Sequence, residues 1–266
     1  MNAPLHTHAP STPSIDGTSD TWRADVPRFD APYLAAATPL VLEGLRRKPL
    51  SSDARRLHGM VTALLGRGHQ RGAPGSHQHP DWSLVPADTP SGWGVVWWDP
   101  RDGEALARTK HRARLGRHEC RAGFGVALKI KPPPRYVAGA HPLVLRAITP
   151  VCSHTWAKND AGERVARVWR TECTAAHLVG SLGSLAAKAR IEVDPKDLHV
   201  ELVRADVEPR AVVLGGKIGT RHGWRGTVHL VANAPARWLL EVAARGLGLG
   251  SSTAYGCGRV VVETGS

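Results

Sequence analysis

The sequence predicts an α+β fold of two tandem halves, each running strand, helix, strand, strand, helix, strand. Three observations carry this: apolar residues at helical spacing between strand-like runs in both halves, Gly and Pro punctuation at their ends, and one basic stretch with few apolar anchors. A length of 266 residues with 42% hydrophobic content is enough for two cores. Residues 1–20 are rich in Pro, Ser, Thr and His, lack the charged start and apolar centre of a signal peptide, and read as a disordered tail.

The first half spans 21–150. Its first strand falls within Tyr33 to Glu43 and ends in the basic turn 44–49. Ser51, Ser52 and Asp53 announce a helix whose Leu57, Met60, Val61, Leu64 and Leu65 share one face, and Gly66 and Gly68 close it. The run Gly92 to Trp98 reads as a buried strand. Residues 101–121 differ in kind and read as an inserted basic finger, helical in form, which replaces or obscures the second helix. Strands Phe124 to Ile130 and Pro142 to Ile148 follow, with a break at Pro132 to Pro134.

The second half, 151–266, begins near Val151. It offers strands at Arg164 to Arg170, His199 to Val207, Arg210 to Leu214, Trp224 to Val231 and Arg259 to Glu263. Helices are expected from Thr174 to Ala189 and from Pro235 to Arg245; Pro235 sits in a first turn, and Trp238, Leu239, Val242 and Ala243 form an apolar face. Both halves match the ferredoxin-like, split βαβ pattern.

Thirty-five Lys and Arg against 23 Asp and Glu give a formal charge of +12 and a pI near 10.2, the footprint of a polyanion binder. Membrane binding is not expected, because no apolar run is long enough to span a bilayer and no basic helix has a broad apolar face. Cys120, Cys152, Cys173 and Cys257 are scattered without a Cys-x-x-Cys pair, which argues against a zinc ribbon or a disulfide framework and suits the cytoplasm. The cluster His69, His77 and His79 has no partner ligand at metal spacing, so neither metal nor cofactor is expected.

The glycine-rich run Gly246 to Gly258 stands apart. Dinucleotide and P-loop motifs follow a strand and open a helix; here a helix precedes the glycines and a strand follows, which excludes both. The segment Gly248-Leu-Gly-Ser-Ser-Thr-Ala-Tyr-Gly-Cys-Gly258 resembles the signature loop of the CRISPR-associated RAMP proteins, and within them the sixth Cas family of endoribonucleases. Upstream, Gly215-Gly-Lys-Ile-Gly-Thr-Arg-His-Gly-Trp-Arg-Gly-Thr-Val-His-Leu230 is similar to that family's strand pair before the final helix. The large basic insertion and the His/Pro-rich tail depart from the common members and suggest a divergent branch such as the type IV variant.

This resemblance implies two tandem RAMP-type, RRM-like folds and a partner in the repeat hairpin of precursor and mature CRISPR RNA, with other Cas subunits around the retained product. It implies metal-independent cleavage, in which the RNA 2′-hydroxyl attacks the adjacent phosphate to leave a 2′,3′-cyclic phosphate and a 5′-hydroxyl. A non-catalytic RNA-binding RAMP subunit is the alternative. Family members place a histidine in or after the first helix, a neighbourhood held here by His58 and His69; His58 also has the spacing of a core-edge histidine, and Tyr33 is a further proton-transfer candidate. Arg23, Arg46 and Arg47 are the arginines placed to fix a phosphate without a base. RNA holding falls to Arg101, Arg108, Lys110, Arg112, Arg114, Arg117 and Arg121, to Lys217, and to Gly248, Gly250, Ser251 and Ser252, where absent side chains let backbone N–H groups approach phosphates. Of the nine tryptophans, Trp22 and Trp156 stand outside the expected strands and are available to stack on a base.

Overall fold

The computed structural model describes residues 20–64, 82–89, 91–106, 110–214 and 219–264. Strand β1 (Ala35–Glu43) buries Ala36, Thr38 and Leu40 at the period of two expected of a strand. Helix α1 (Ala54–Leu64) buries Leu57, Met60 and Val61. Its start is organised by Asp53, whose carboxylate accepts from the Leu50 N–H at 3.1 Å and from Arg47 and Arg56 at 3.2 and 2.9 Å. Burial alone would push this carboxyl up; the Leu50 N–H and the two guanidiniums outweigh it and hold it below the usual value.

Strands β2 (Trp82–Pro86) and β3 (Trp93–Trp97) extend the sheet, and every residue of β3 is buried. Inside it the Trp97 indole N–H donates to the Thr38 hydroxyl at 2.8 Å, so a large apolar side chain is buried without an orphaned donor. A second helix does exist: α2 (Pro100–Leu106) crosses β1 at Gly103, where a Cβ would lie 2.7 Å from Trp97 and 2.9 Å from Ala36.

The basic stretch is not a helical finger. Beyond α2 it forms the hairpin β4 (Lys110–Leu115) and β5 (His118–Phe124), and β5 pairs with β1 from Leu40↔Phe124 to Glu43↔Arg121. Strand β6 (Leu128–Ile130) pairs with the other end of β1, so β5 and β6 together occupy the edge position of the fourth strand of a ferredoxin-like sheet. Leu115, Cys120, Ala122 and Phe124 are the anchors of this hairpin; small side chains alternating with arginines concealed them from a search for helical periodicity.

In the second half β7 (Ala140–Lys158) is a single 19-residue strand. It runs through Val151, where the second half was expected to begin, and it joins the second sheet from Ala140 onward. Strand β8 (Arg164–Arg170) folds back on its far end. Then come α3 (Ala175–Lys188), β9 (Val200–Val213), β10 (Thr220–Asn233), α4 (Ala234–Val242) and β11 (Val260–Thr264). The two strands expected around Pro209 are one continuous strand, because β9 lies at the sheet edge, where proline's missing N–H is tolerated. Helix α3 is capped by Thr174, whose hydroxyl accepts from His177 N–H, and α4 by Asn233, which accepts from Ala236 N–H with Pro235 in the first turn.

The order β11-β7-β10-β9 repeats, element for element, the order β5-β1-β3-β2 of the first sheet. Each sheet has its own core, and the two interlock: Leu34, Ala35 and Val96 belong to the core of the second half, and Ala254 to that of the first. Polar ties cross the same seam. Ser83 Oγ donates to the Leu247 carbonyl at 3.1 Å, and the Arg259 guanidinium donates to the Pro86 carbonyl. Among the described residues no helix is long and apolar enough to cross a membrane.

Candidate active site and nucleic-acid interface

The glycine run leaves α4 through a π-turn at Ala243–Leu247 and folds onto β7 rather than standing open. Leu249 N–H donates to Gly258 O at 2.8 Å, Gly258 N–H to Pro150 O at 2.9 Å, and Ser251 N–H and hydroxyl both to Cys152 O at 2.7 and 3.0 Å. Side chains are excluded where the backbones meet. A Cβ on Gly258 (φ +75) would lie 2.0 Å from Leu249 O, and one on Gly250 (φ +82) would lie 2.5 Å from Cys152 O. Two N–H groups expected to face phosphate, those of Gly248 and Ser251, therefore already donate to Ala243 O and Cys152 O, while Gly250 and Ser252 remain half-exposed.

This folding aims the short turn Thr253–Tyr255 at α1. Tyr255 stacks on His58 with 4.3 Å between ring centroids and 23° between planes, and the Trp82 ring is tilted against the same imidazole with 5.0 Å between centroids. His58 is 7% exposed. Burial is the main cause that pushes the Tyr255 phenol above its ordinary pKa, and the nearby charges of Arg221 and Arg55 work against it. Arg221, on β10, is itself pushed down, first by burial and then by the like charge of Arg167. One imidazole, one protonated phenol and two guanidiniums, from α1, the turn Thr253–Tyr255 and β10, are thus gathered at the seam.

His58 is the one sequence candidate brought into this cluster. Tyr255, Arg55 and Arg221 were not singled out; the only signal was that Tyr255 is the sole aromatic within the glycine run. Tyr33 lies under the Lys129 ammonium, 4.8 Å from ring centroid, in a separate cleft of about 750 Å³ lined by Phe29, Trp98, Lys188 and Arg190. Arg46 is exposed and Arg47 is held by Asp53, both bordering a groove with Pro49 and Leu115. Arg23 is exposed at the end of the turn Asp20–Arg23, next to Trp22. Trp22 is not free to stack on a base: it is buried and packs edge-on against His199 at 4.6 Å. His69, His77, His79, Arg108 and Lys217 lie outside the described residues.

Among the expected RNA contacts, Arg101 is tied to Asp99 at 2.6 Å, Lys110 to Glu43 and Arg114 to Glu119 at 2.9 Å. Arg112 and Arg117 are exposed and have no carboxylate partner among the described residues, and Arg121 lies near Glu43. Between this hairpin and α1 runs a groove of about 510 Å³ lined by Arg56, Gly59, Met60, His111, Arg112 and Arg114. Helix α1 therefore has the cationic hairpin along one edge and Tyr255 along the other.

No family model and no curated protein matches the sequence. Solved structures do match the fold. A Cas6 product complex superposes with a TM-score of 0.57 at 20% identity, over 86% of this chain and 99% of the other. Thermus thermophilus Cas6 superposes at 0.51 with 19% identity, over 90% and 99%. A RAMP protein binding different RNA substrates superposes at 0.53 with 12% identity, over 86% and 99%. With both sheets in the same strand order and the match extending over most of its length, the chain has the tandem ferredoxin-like fold of the Cas6 RAMP proteins.

Proposed function

We propose that this chain is a metal-independent endoribonuclease that binds the repeat stem-loop of precursor CRISPR RNA, cuts it by 2′-hydroxyl attack and retains the product within an effector complex. The observation that carries this reading is the stack of His58 on Tyr255 beside Arg55 and Arg221, at the glycine run of a Cas6 fold.

Roles follow from the chemistry. Imidazole is the side chain that exchanges a proton near neutral pH, so His58 takes the 2′-proton. As the 2′-oxygen bonds to phosphorus, the bond to the 5′-oxygen breaks, giving the cyclic phosphate. Burial keeps the Tyr255 phenol protonated, which makes it a donor to the leaving 5′-oxygen. Arg55 and Arg221 supply fixed positive charge for the extra negative charge on the phosphoryl oxygens; an arginine cannot act as the base. Lys110, Arg112, Arg114, Arg117 and Arg121 hold the stem from the hairpin side of α1, with the half-exposed Gly250, Ser251 and Ser252 of the glycine run facing the strand at the cut. Arg46 and Arg47 contact phosphates further along.

One observation favours the non-catalytic alternative. A histidine 7% exposed, with its ring packed against those of Tyr255 and Trp82, has little surface to offer a substrate. Incubating the protein with repeat RNA in EDTA, and again with a 2′-deoxy nucleotide at the scissile position, separates the two. Cleavage in EDTA that the deoxy substitution abolishes is the expected result. Cleavage that survives the substitution, or that needs metal, refutes the mechanism, and binding without cleavage identifies a non-catalytic subunit.

A further inference from the structure

Strand β7 does not end with its sheet. Its pairing with β10 stops at Cys152, opposite Gly223, and residues Ser153 to Lys158 continue as a two-stranded ribbon paired only with β8. Nearly all of β8 is exposed, including Val165 at 59%.

One face of the ribbon is uniform in character. Opposed pairs in an antiparallel ladder share a face, which puts Trp156 with Arg167 and His154 with Trp169. Cys152 and Gly223 continue that face into the sheet, and Arg221, two residues before Gly223, lies on it as well. Three aromatic rings run along the stripe with guanidiniums at both ends. Arg221 lies over Trp169 at 4.8 Å, the rings of Trp169 and Trp156 are 5.1 and 5.9 Å from that of His154, and Arg167 and Arg164 lie over Trp156 at 5.0 and 5.7 Å.

Among the described residues, Arg164, Arg167 and Arg221 form no salt bridge, and Arg167 and Arg221 repel each other. The nearest acid in sequence, Glu163, is held in the ribbon turn by Asn159 at 2.9 Å. Arg221 also has a buried Nε with no hydrogen-bond partner. Unpaired buried donors and clustered like charges are unfavourable in the free protein, and an anion relieves both. The stripe meets the glycine run where Ser251 bridges to Cys152, and Arg221 stands between it and Tyr255.

We propose that this face of the β7–β8 ribbon is a stacking platform for the single-stranded nucleotides adjoining the RNA stem, with their phosphates on Arg164, Arg167 and Arg221. Bases that are already unstacked lie flat on tryptophan or on a guanidinium plane, whereas a duplex offers the stripe only its phosphates. The inference rests on reading the chain as an RNA-binding protein and is independent of whether it cuts.

The test measures fluorescence anisotropy of two labelled RNAs, a short unstructured oligoribonucleotide and a blunt hairpin, with wild type, Trp156→Ala and Arg167→Glu. Arg167 is exposed, so its reversal preserves the fold if Trp156→Ala does not, and thermal unfolding checks both. Each variant is expected to weaken single-strand binding roughly tenfold and to leave blunt-hairpin binding essentially unchanged. Equal weakening of both RNAs, no change in either, or a wild type that ignores the single strand overturns the platform. Hairpin cleavage followed in parallel keeps the two readings apart. A protein that never cuts but loses the single strand in these variants refutes the endoribonuclease and retains the platform; one that cuts while the variants bind as wild type does the reverse.

Discussion

The rings of His58 and Tyr255 lie 4.3 Å apart and 23° from parallel, one from the first helix of the chain and the other from its last loop. Single-turnover cleavage of repeat RNA is expected to fall by about 10²–10⁴ in His58→Ala. Tyr255→Phe keeps the stacked ring and removes only the phenolic proton, so a smaller loss of about 10–10² is expected. Dissociation constants measured alongside separate chemistry from binding. A His58→Ala protein that cuts at the wild-type rate makes His58 a packing residue.

The glycine run is rigid for steric reasons, and two substitutions of the same kind should move stability in opposite directions. At Gly258 the added methyl meets the Leu249 carbonyl at 2.0 Å in a left-handed backbone, and Gly258→Ala is expected to cost about 2–4 kcal/mol in urea unfolding. Gly180, on the exposed face of α3, meets nothing within 4 Å. Gly180→Ala is expected to stabilise by about 0.5–1 kcal/mol. Equal effects at the two sites would mean that the loop relaxes freely.

Alkaline unfolding offers a pH test at Cys173, a buried thiol before α3. Burial pushes its pKa from 9.0 up to about 12. The folded-state value is the raised one, so its contribution is fully present below pH 9 and is lost as pH climbs from 9 towards 12, because only the unfolded thiol ionises there. Wild type should lose about 1–3 kcal/mol more than Cys173→Ala across that window in paired urea titrations. Parallel curves for the two proteins would show that the thiol is solvated in the folded state.

Much of the fold was legible because local signals agreed with tertiary need. Thr174 and Asn233 are good helix caps in sequence and act as caps in the structure, and Leu57, Met60 and Val61 share a face because that face meets the sheet. The hairpin Lys110 to Phe124 was misread as helical because one of its arms is an edge strand, in which Lys110, Arg112 and Arg114 alternate with His111, Ala113 and Leu115 and only Leu115 is buried. The boundary expected near Val151 falls inside β7, a strand that passes through Pro142 and Pro150 without a break. His58 could be found from its helix. Its partner could not, since nothing near Tyr255 in the sequence says that a glycine fold will carry its ring across to α1; the distinction between a flexible linker and a shaped bracket lies in contacts between Gly258 and Leu249 and between Gly250 and Cys152.

The seam between the halves has a property that bears on its tolerance of substitution. Two polar ties across it end on main-chain carbonyls: Ser83 on that of Leu247 and Arg259 on that of Pro86. A carbonyl is present whatever residue carries it, so substitutions at the accepting positions leave these acceptors in place and only the donor side is exposed to mutational loss. A seam written half in backbone can keep its geometry while the side chains around it turn over.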